Sequence, residues 1–374
     1  MTPDPSATDQ SHADIGPTFI KGATISLRAP NDGLARFEED AALLASIGIR
    51  RLRIGFDWAT LQPRPGGLDD DWCEALGVVI DAASAVGIGI VAGLNDGPLP
   101  GWFVDDGGFG DAKHAGRWWP RWVEAVAETF GDRLTGWVPM NRPLLLAKPW
   151  ADDPKRYVEA LTITAAAWRD AWRILRGGPP VATDLSLRVV RAVDQTIPAA
   201  EAARREDHLR WRMWLRGLRD GVVAFPDGPE RRIEELGSSL DVLGFSTTCD
   251  IPLTGQLDNE ALERWEHRLG TMLRRLAEDG PDRPLAITLH VLHPDDDDRR
   301  IILEWSARTI TEARRDGIAL HEAYIDPAID HRPGSREGGL LDRDRDLKAS
   351  ASVWLSNTPS GGSTPRDDLG LRSA

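Results

Sequence analysis

The chain has 374 residues, 41% of them hydrophobic and 28% charged, and a formal net charge of −14 from 59 acidic and 45 basic side chains. That length holds one large α/β barrel or two smaller domains, and the acidic excess argues against a nucleic-acid surface or an anionic membrane as partner. No stretch approaches the roughly 20 apolar residues of a membrane span, and the two cysteines, Cys73 and Cys249, fit reduced buried thiols better than a disulfide.

Residues 1–17 (MTPDPSATDQSHADIGP) have neither the basic n-region nor the apolar core of a signal peptide. They read as a disordered leader on a cytoplasmic protein. Phe19–Leu27 (FIKGATISL) reads as the first strand, followed by a helix around Leu34–Ile47 that Gly48 closes. Arg51–Phe56 is the second strand, leading to Asp57, Trp58 and a loop at 62–68 rich in Pro and Gly. A helix over 71–86 ends at Gly87, and Ile88–Leu94 is a continuously apolar third strand with Asp96 just beyond it. Ala112–Phe130 is helical. Leu134–Met140 is the fourth strand, and it stops at Asn141-Arg142-Pro143, where the proline cannot extend a ladder.

The alternation continues with a helix at Pro154–Leu175, a strand at Pro180–Leu187 and an inserted helical segment at Ala199–Gly221, which reads as an amphipathic cover over the barrel before a partner surface. Leu240–Thr247, Leu285–Leu292 and Ile318–Ile325 read as further strands. Each precedes a helix: 259–278, 298–315 and a closing one near 346–355. From Ser356 to Ala374 the Ser, Gly and Pro content reads as a disordered tail. Of the 15 tryptophans, Trp118, Trp119, Trp122, Trp168, Trp172, Trp211 and Trp214 sit at helical spacing, which favours packing over sugar stacking.

Near-continuous apolar strands alternating with helices predict a parallel sheet buried on both faces. At this length the expected fold is a single-domain (β/α)8 TIM barrel over 18–355. A doubly wound open sheet is the alternative, but no strand runs into a G-x-G-x-x-G turn. Barrels keep their working residues at the C-terminal strand tips. There the sequence offers Asp57, Asp96, Asp326 and Asp330, each of which also reads as a loop or cap residue. His290 reads as a hydrogen-bonded structural histidine before a base or ligand. His293 with the aspartates at 295–298 reads as helix capping rather than a metal site. Arg142 asks for an anion, first an internal carboxylate and then a ligand's carboxylate or phosphate. No cofactor or metal is expected.

The run GDRLTGWVPMNRP at 131–143 resembles the "GDRV-x-x-W-x-T-x-NEP" signature of family 1 glycoside hydrolases, the β-glucosidase-like enzymes. Other segments resemble that family in the same order. They are FIKGAT at 19–24, RIGFDW at 53–58 with Gln62-Pro63, Val91–Phe103, DVLGFSTT at 241–248, PLAITLH at 284–290 and KASASVW at 348–354. The resemblance covers Phe19 to Leu355 and implies the same barrel. It also places Arg142 at the acid/base position and Leu289, followed by His290, at the nucleophile position. The family's His-Trp pair falls at Asp96-Gly97, and its Asn-Tyr pair at Ser246-Thr247. Its glutamine near the first strand has no counterpart, and its closing aromatic run is replaced by residues 327–330. Arg53, Trp58 and Asn141 keep the family's residues.

Retaining glycoside hydrolysis uses two carboxyl groups about 5–5.5 Å apart, one to protonate the leaving oxygen and one to attack. Arginine does not release its proton near neutral pH, and leucine has no lone pair. The resemblance therefore implies a pseudo-glycosidase that keeps the barrel to bind a carbohydrate or other small molecule, or to regulate. The ligand expected is a sugar or an anionic compound, and a protein partner is left open. The candidate ligand-binding residues are Arg53, Asp57, Trp58, Asp96, Asn141, Arg142, Ser246, His290 and Asp326. Two alternatives are an enzyme with rewired chemistry in the same pocket and a residual β-glycosidase using other carboxylates, for which an inverting pair tolerates about 6.5–9.5 Å.

Overall fold

The computed structural model describes residues 19–27, 33–226, 228–251, 257–330 and 338–358; the leader and almost all of the tail lie outside them. Eight parallel strands follow the alternation: β1 (Ile20–Ile25), β2 (Arg51–Gly55), β3 (Gly89–Gly93), β4 (Gly136–Val138), β5 (Leu185–Ser186), and, after an inserted hairpin β6 (Val222–Ala224) and β7 (Glu230–Arg232), β8 (Leu243–Thr248), β9 (Leu285–His290) and β10 (Leu320–Ile325). Their order in the sheet is β4-β3-β2-β1-β10-β9-β8-β5. The ring closes between β4 and the segment before β5 through parallel bridges Trp137↔Val181 and Asn141↔Asp184. Helices at Phe37–Ser46, Asp70–Ala85, Ala112–Phe130, Pro154–Leu175, Asn259–Asp279, Asp296–Arg315 and Ala349–Asn357 surround it.

The helix ends follow local chemistry. Asp69, Asp111, Asp153, Asp258 and Asp295 each cap a helix N-terminus through the side chain. Asp295 accepts from the Asp298 amide at 2.9 Å, so the aspartate run is a cap, as expected. Gly48 and Gly87, at φ +94° and +75°, take the left-handed position just past their helices.

Strand parity sorts the barrel into two layers. In β9, Leu285, Ile287 and Leu289 join the main core between sheet and helices, while Ala286 packs in the lumen with Val242 and Tyr324. The lower lumen is polar. Arg51 pairs with Glu322, and the Tyr324 hydroxyl donates to Glu322 at 2.6 Å. Burial first, and then the Glu322 charge, push the Tyr324 phenol up, so it stays a neutral donor. A space of only about 30 Å³ remains there, enough for a water at most.

Two expectations need correction. The fifth strand, expected over Pro180–Leu187, is regular only at Leu185–Ser186. Its earlier part approaches β8 so closely that a Cβ on Gly244 would lie 2.1 Å from the Thr183 carbonyl oxygen, and it pairs by single bridges instead. The insertion is also more than a helix. Helices at Ile197–Asp207 and Met213–Asp220, joined by a π-turn, end at Gly221 (φ +72°), and the chain then turns back as the β6–β7 hairpin. Met213, Trp214, Leu215 and Leu218 carry the buried face.

Trp119, Trp122, Trp168, Trp211 and Trp214 are buried, as expected of packing residues, and Trp118 and Trp172 are half-buried; Trp58 is buried as well, against its place among the ligand-binding candidates. Cys73 and Cys249 are unpaired and half-buried. Burial pushes the Cys249 thiol up to about 12.

Candidate functional site

A cavity of about 490 Å³ opens at the C-terminal strand ends. Arg53, Asp57, Asp96, Asn141, Arg142, His290 and Asp326 all line it, so most of the candidate residues converge there. Trp58 and Ser246 do not. Trp58 is 1% exposed, stacked on Trp122 at 5.5 Å and packed against Phe103 at 4.6 Å, with its indole N–H donating to Gln62. Its place in an apolar cluster accounts for its burial away from the cavity. Ser246 is buried below the cavity wall, its carbonyl accepting the Leu187 amide.

Leu289, at the position that the resemblance assigns to the nucleophile, does not line the cavity either. It is fully buried in the outer layer, and its neighbours Thr288 and His290 face the cavity instead. A side chain at position 289 therefore points into the helix layer, whatever its chemistry.

One wall is a row across β1, β10 and β9. The register Ala23↔Ile325↔Leu289 continues one step to Thr24, Asp326 and His290. The Thr24 hydroxyl donates to Asp326 Oδ1, and His290 Nδ1 lies 2.9 Å from Asp326 Oδ2. Burial by itself would raise the Asp326 carboxyl. The hydrogen bond and charge of His290, the Thr24 hydroxyl and the Arg53 charge outweigh it and hold the group below its ordinary range. An ionised Asp326 accepting from Nδ1–H assigns the imidazole tautomer and leaves Nε2 as the second nitrogen of a cavity-lining ring.

The floor is an ion pair across the lumen. Arg53 Nη2 on β2 lies 2.8 Å from Asp184 Oδ2 beside β5, and Nη1 donates to Thr288 Oγ1 at 3.1 Å. Asp184 is 3% exposed, and its Oδ1 has no hydrogen-bond donor among the described residues. The sequence reading missed Asp184. The available signal was a carboxylate in the middle of the fifth apolar run, visible only once the alternate positions are assigned to the lumen.

The wall over β3 and β4 carries Asp96 and Asn141. Asn141 Nδ2 donates to Asp96 Oδ1 at 3.1 Å, and its own buried Oδ1 lacks a donor among the described residues. Asp96 lies across Gly55, where a Cβ would come within 2.8 Å of Asp96 Cβ. Asp57 precedes the short helix Trp58–Leu61, takes the Thr60 hydroxyl at 2.5 Å and also faces the cavity. Arg142 is exposed and left-handed (φ +50°, ψ +62°), its amide donating to the Asp184 carbonyl at 2.9 Å. The internal carboxylate expected for it is absent: among the described residues its side chain has no ion pair or hydrogen bond. Trp72, at the start of the helix after β2, contributes the cavity's aromatic surface with Leu27, Leu61 and Leu76 beside it. Asp330, by contrast, is buried off the cavity, held by Lys348 Nζ at 2.8 Å and by the amides of Gly338 and Gly339.

The sequence model of glycosyl hydrolase family 1 matches residues 21–149. β-Glucosidase A of Thermotoga maritima is 24% identical over 117 residues, 31% of this chain and 26% of that enzyme. A β-galactosidase of Thermus thermophilus is 38% identical over 71 residues, 19% of this chain and 10% of that enzyme. These matches span about a quarter or less of the relatives' lengths. By structure, the family 1 β-glucosidase of T. maritima superposes with a TM-score of 0.75 at 15% identity, covering 93% of this chain and 99% of the enzyme. The same enzyme with isofagomine lactam gives 0.75 at 15% identity, covering 91% and 98%, and with glucoimidazole 0.76 at 15%, covering 92% and 99%. At that identity the superposition shows the (β/α)8 fold.

Proposed function

Taking the chain as a relative of the family 1 glycosyl hydrolases, whose sequence model matches residues 21–149 and whose barrel it shares, we propose that it binds a sugar-sized hydroxylated small molecule without retaining glycosidase catalysis. One observation carries this reading. At the two strand tips where the resemblance implies a carboxylate pair, the cavity is lined by Arg142 after β4 and by Thr288 and His290 on β9. Neither a guanidinium nor an imidazole forms the covalent glycosyl intermediate of that mechanism, and Leu289 offers no atom to the cavity at all.

The remaining groups suit a ligand rich in hydroxyls. Asp57, Asp96 and Asn141 line the cavity with polar side chains that can pair with hydroxyl groups. Trp72 supplies a flat apolar surface at the same cavity. A volume of about 490 Å³ lies within the range of roughly 300–1,000 Å³ common for small-molecule sites. The T. maritima β-glucosidase binds isofagomine lactam and glucoimidazole, and compounds of that shape are natural probes. No helix among the described residues is long and apolar enough to cross a membrane. A cytoplasmic sugar-binding or regulatory protein is the setting we assign.

The test is initial-rate hydrolysis of activated aryl β-glycosides beside calorimetric titration with glucoimidazole. We expect no turnover above a mock purification, and saturable binding that Asn141→Ala weakens. Clear turnover, abolished by changing Asp57 or Asp96, would overturn the reading in favour of a rebuilt carboxylate pair.

A further inference from the structure

The Thr24–Asp326–His290 row is more than ligand binding requires. A histidine whose Nδ1 is held by an ionised, hydroxyl-braced carboxylate, and whose ring lines a cavity, has the arrangement of an oriented general base. Asp326 stays ionised in this setting, so it fixes the tautomer and accommodates the imidazolium when it forms.

The second observation is what stands across from it. In the ring order β1-β2-β3-β4-β5-β8-β9-β10, β4 and β9 are three strands apart, so their tips lie on nearly opposite sides of one cavity. The β4 tip presents Arg142, a permanent cation with no side-chain partner among the described residues. A base on one side and a cation on the other cannot protonate and displace a glycosidic oxygen as a carboxyl pair does. They do meet the needs of acyl transfer to water, which calls for a base on the water and positive charge where the carbonyl oxygen becomes an oxyanion.

We propose that this cavity hydrolyses sugar lactones, with His290 as the base that activates water, Asp326 as its positioning residue and Arg142 stabilising the oxyanion. The substrate class rests on the reading of the cavity as a site for hydroxylated, sugar-sized ligands. In the first step His290 Nε2 takes a proton from water while the water oxygen bonds to the lactone carbonyl carbon. The carbonyl π pair moves onto its oxygen, facing the Arg142 guanidinium. When that pair returns, the bond from the acyl carbon to the ring oxygen breaks, and the ring oxygen leaves with the proton from His290. One water is consumed and the open-chain hydroxy acid forms, which ionises near neutral pH. His290 and Arg142 return to their starting states.

The experiment uses the full chain with δ-gluconolactone, followed by acid release against the spontaneous rate, beside calorimetry with the uncleavable δ-gluconolactam. The wild type is expected to accelerate opening above the spontaneous rate. His290→Ala should lose at least about 100-fold, the lower end of general-base effects, and added imidazole should restore part of the loss. His290→Asn, similar in size and checked for folding by circular dichroism, should show the same loss without rescue. No acceleration by the wild type, or an undiminished rate in a folded His290 variant, overturns the proposal. Lactam binding without lactone turnover would overturn the lactonase assignment and leave the ligand site standing. Neither binding nor turnover would overturn both.

Discussion

Arg53 finds its partner on the far side of the barrel. It spans the lumen to Asp184 at 2.8 Å, with both side chains largely out of water. Removing the cation leaves a buried carboxylate unpaired, so Arg53→Met should cost about 3–5 kcal/mol in urea unfolding. The double variant with Asp184→Leu should recover most of that loss, because neither charge is then buried. A loss equal to the sum of the two singles would mean the pair is not coupled. Asp326 makes a separate, pH-dependent prediction. Its folded carboxyl lies below the ordinary 3.8, so its stabilising contribution is fully present above that value. It should fade as pH falls through the lower folded value. Asp326→Asn should therefore narrow its stability gap to the wild type as pH drops below about 4, measured by thermal unfolding across that range. A gap independent of pH would refute the ionised state.

At the scale of single elements, strand parity decides more than residue type. Glutamate placed at Leu289 would enter the apolar layer between β9 and its helices, so Leu289→Glu should destabilise by roughly 3–5 kcal/mol and restore no glycosidase activity. His290→Gln, on the cavity side and still able to donate to Asp326, should stay within about 1 kcal/mol of wild type. Thermal unfolding of the two variants checks the assignment, and the reverse order would shift the strand by one residue. The broken fifth strand makes a second element-level prediction. Gly244→Ala would push a methyl into the Thr183 carbonyl, and backbone cannot swing aside as a side chain can. A loss of about 1–3 kcal/mol or more is expected from that overpacking, against a small effect at Gly67, where a Cβ meets nothing within 4 Å.

Across the whole molecule, eight parallel strands bring to one cavity residues as far apart in the chain as Thr24 and Asp326. A bound ligand should therefore stabilise the entire barrel. At 100 times its dissociation constant, a lactam or imidazole sugar analogue should add about 2.7 kcal/mol, read as a rise in unfolding midpoint that Asn141→Ala shifts to higher ligand concentration. The sequence by itself determined the barrel, since apolar runs at strand length alternating with capped amphipathic helices leave few other ways to bury both sheet faces. It also determined that an arginine stands at position 142, because that identity needs no coordinates. Only the tertiary structure decided which way each tip residue points. It turned Leu289 outward and His290 inward, sent Trp58 into an aromatic cluster, and joined Asp184 to Arg53 from strands well separated around the ring. Periodicity fixes alternation but not its phase at an irregular strand end. Pairing across a lumen depends on register between strands that the chain leaves far apart in sequence.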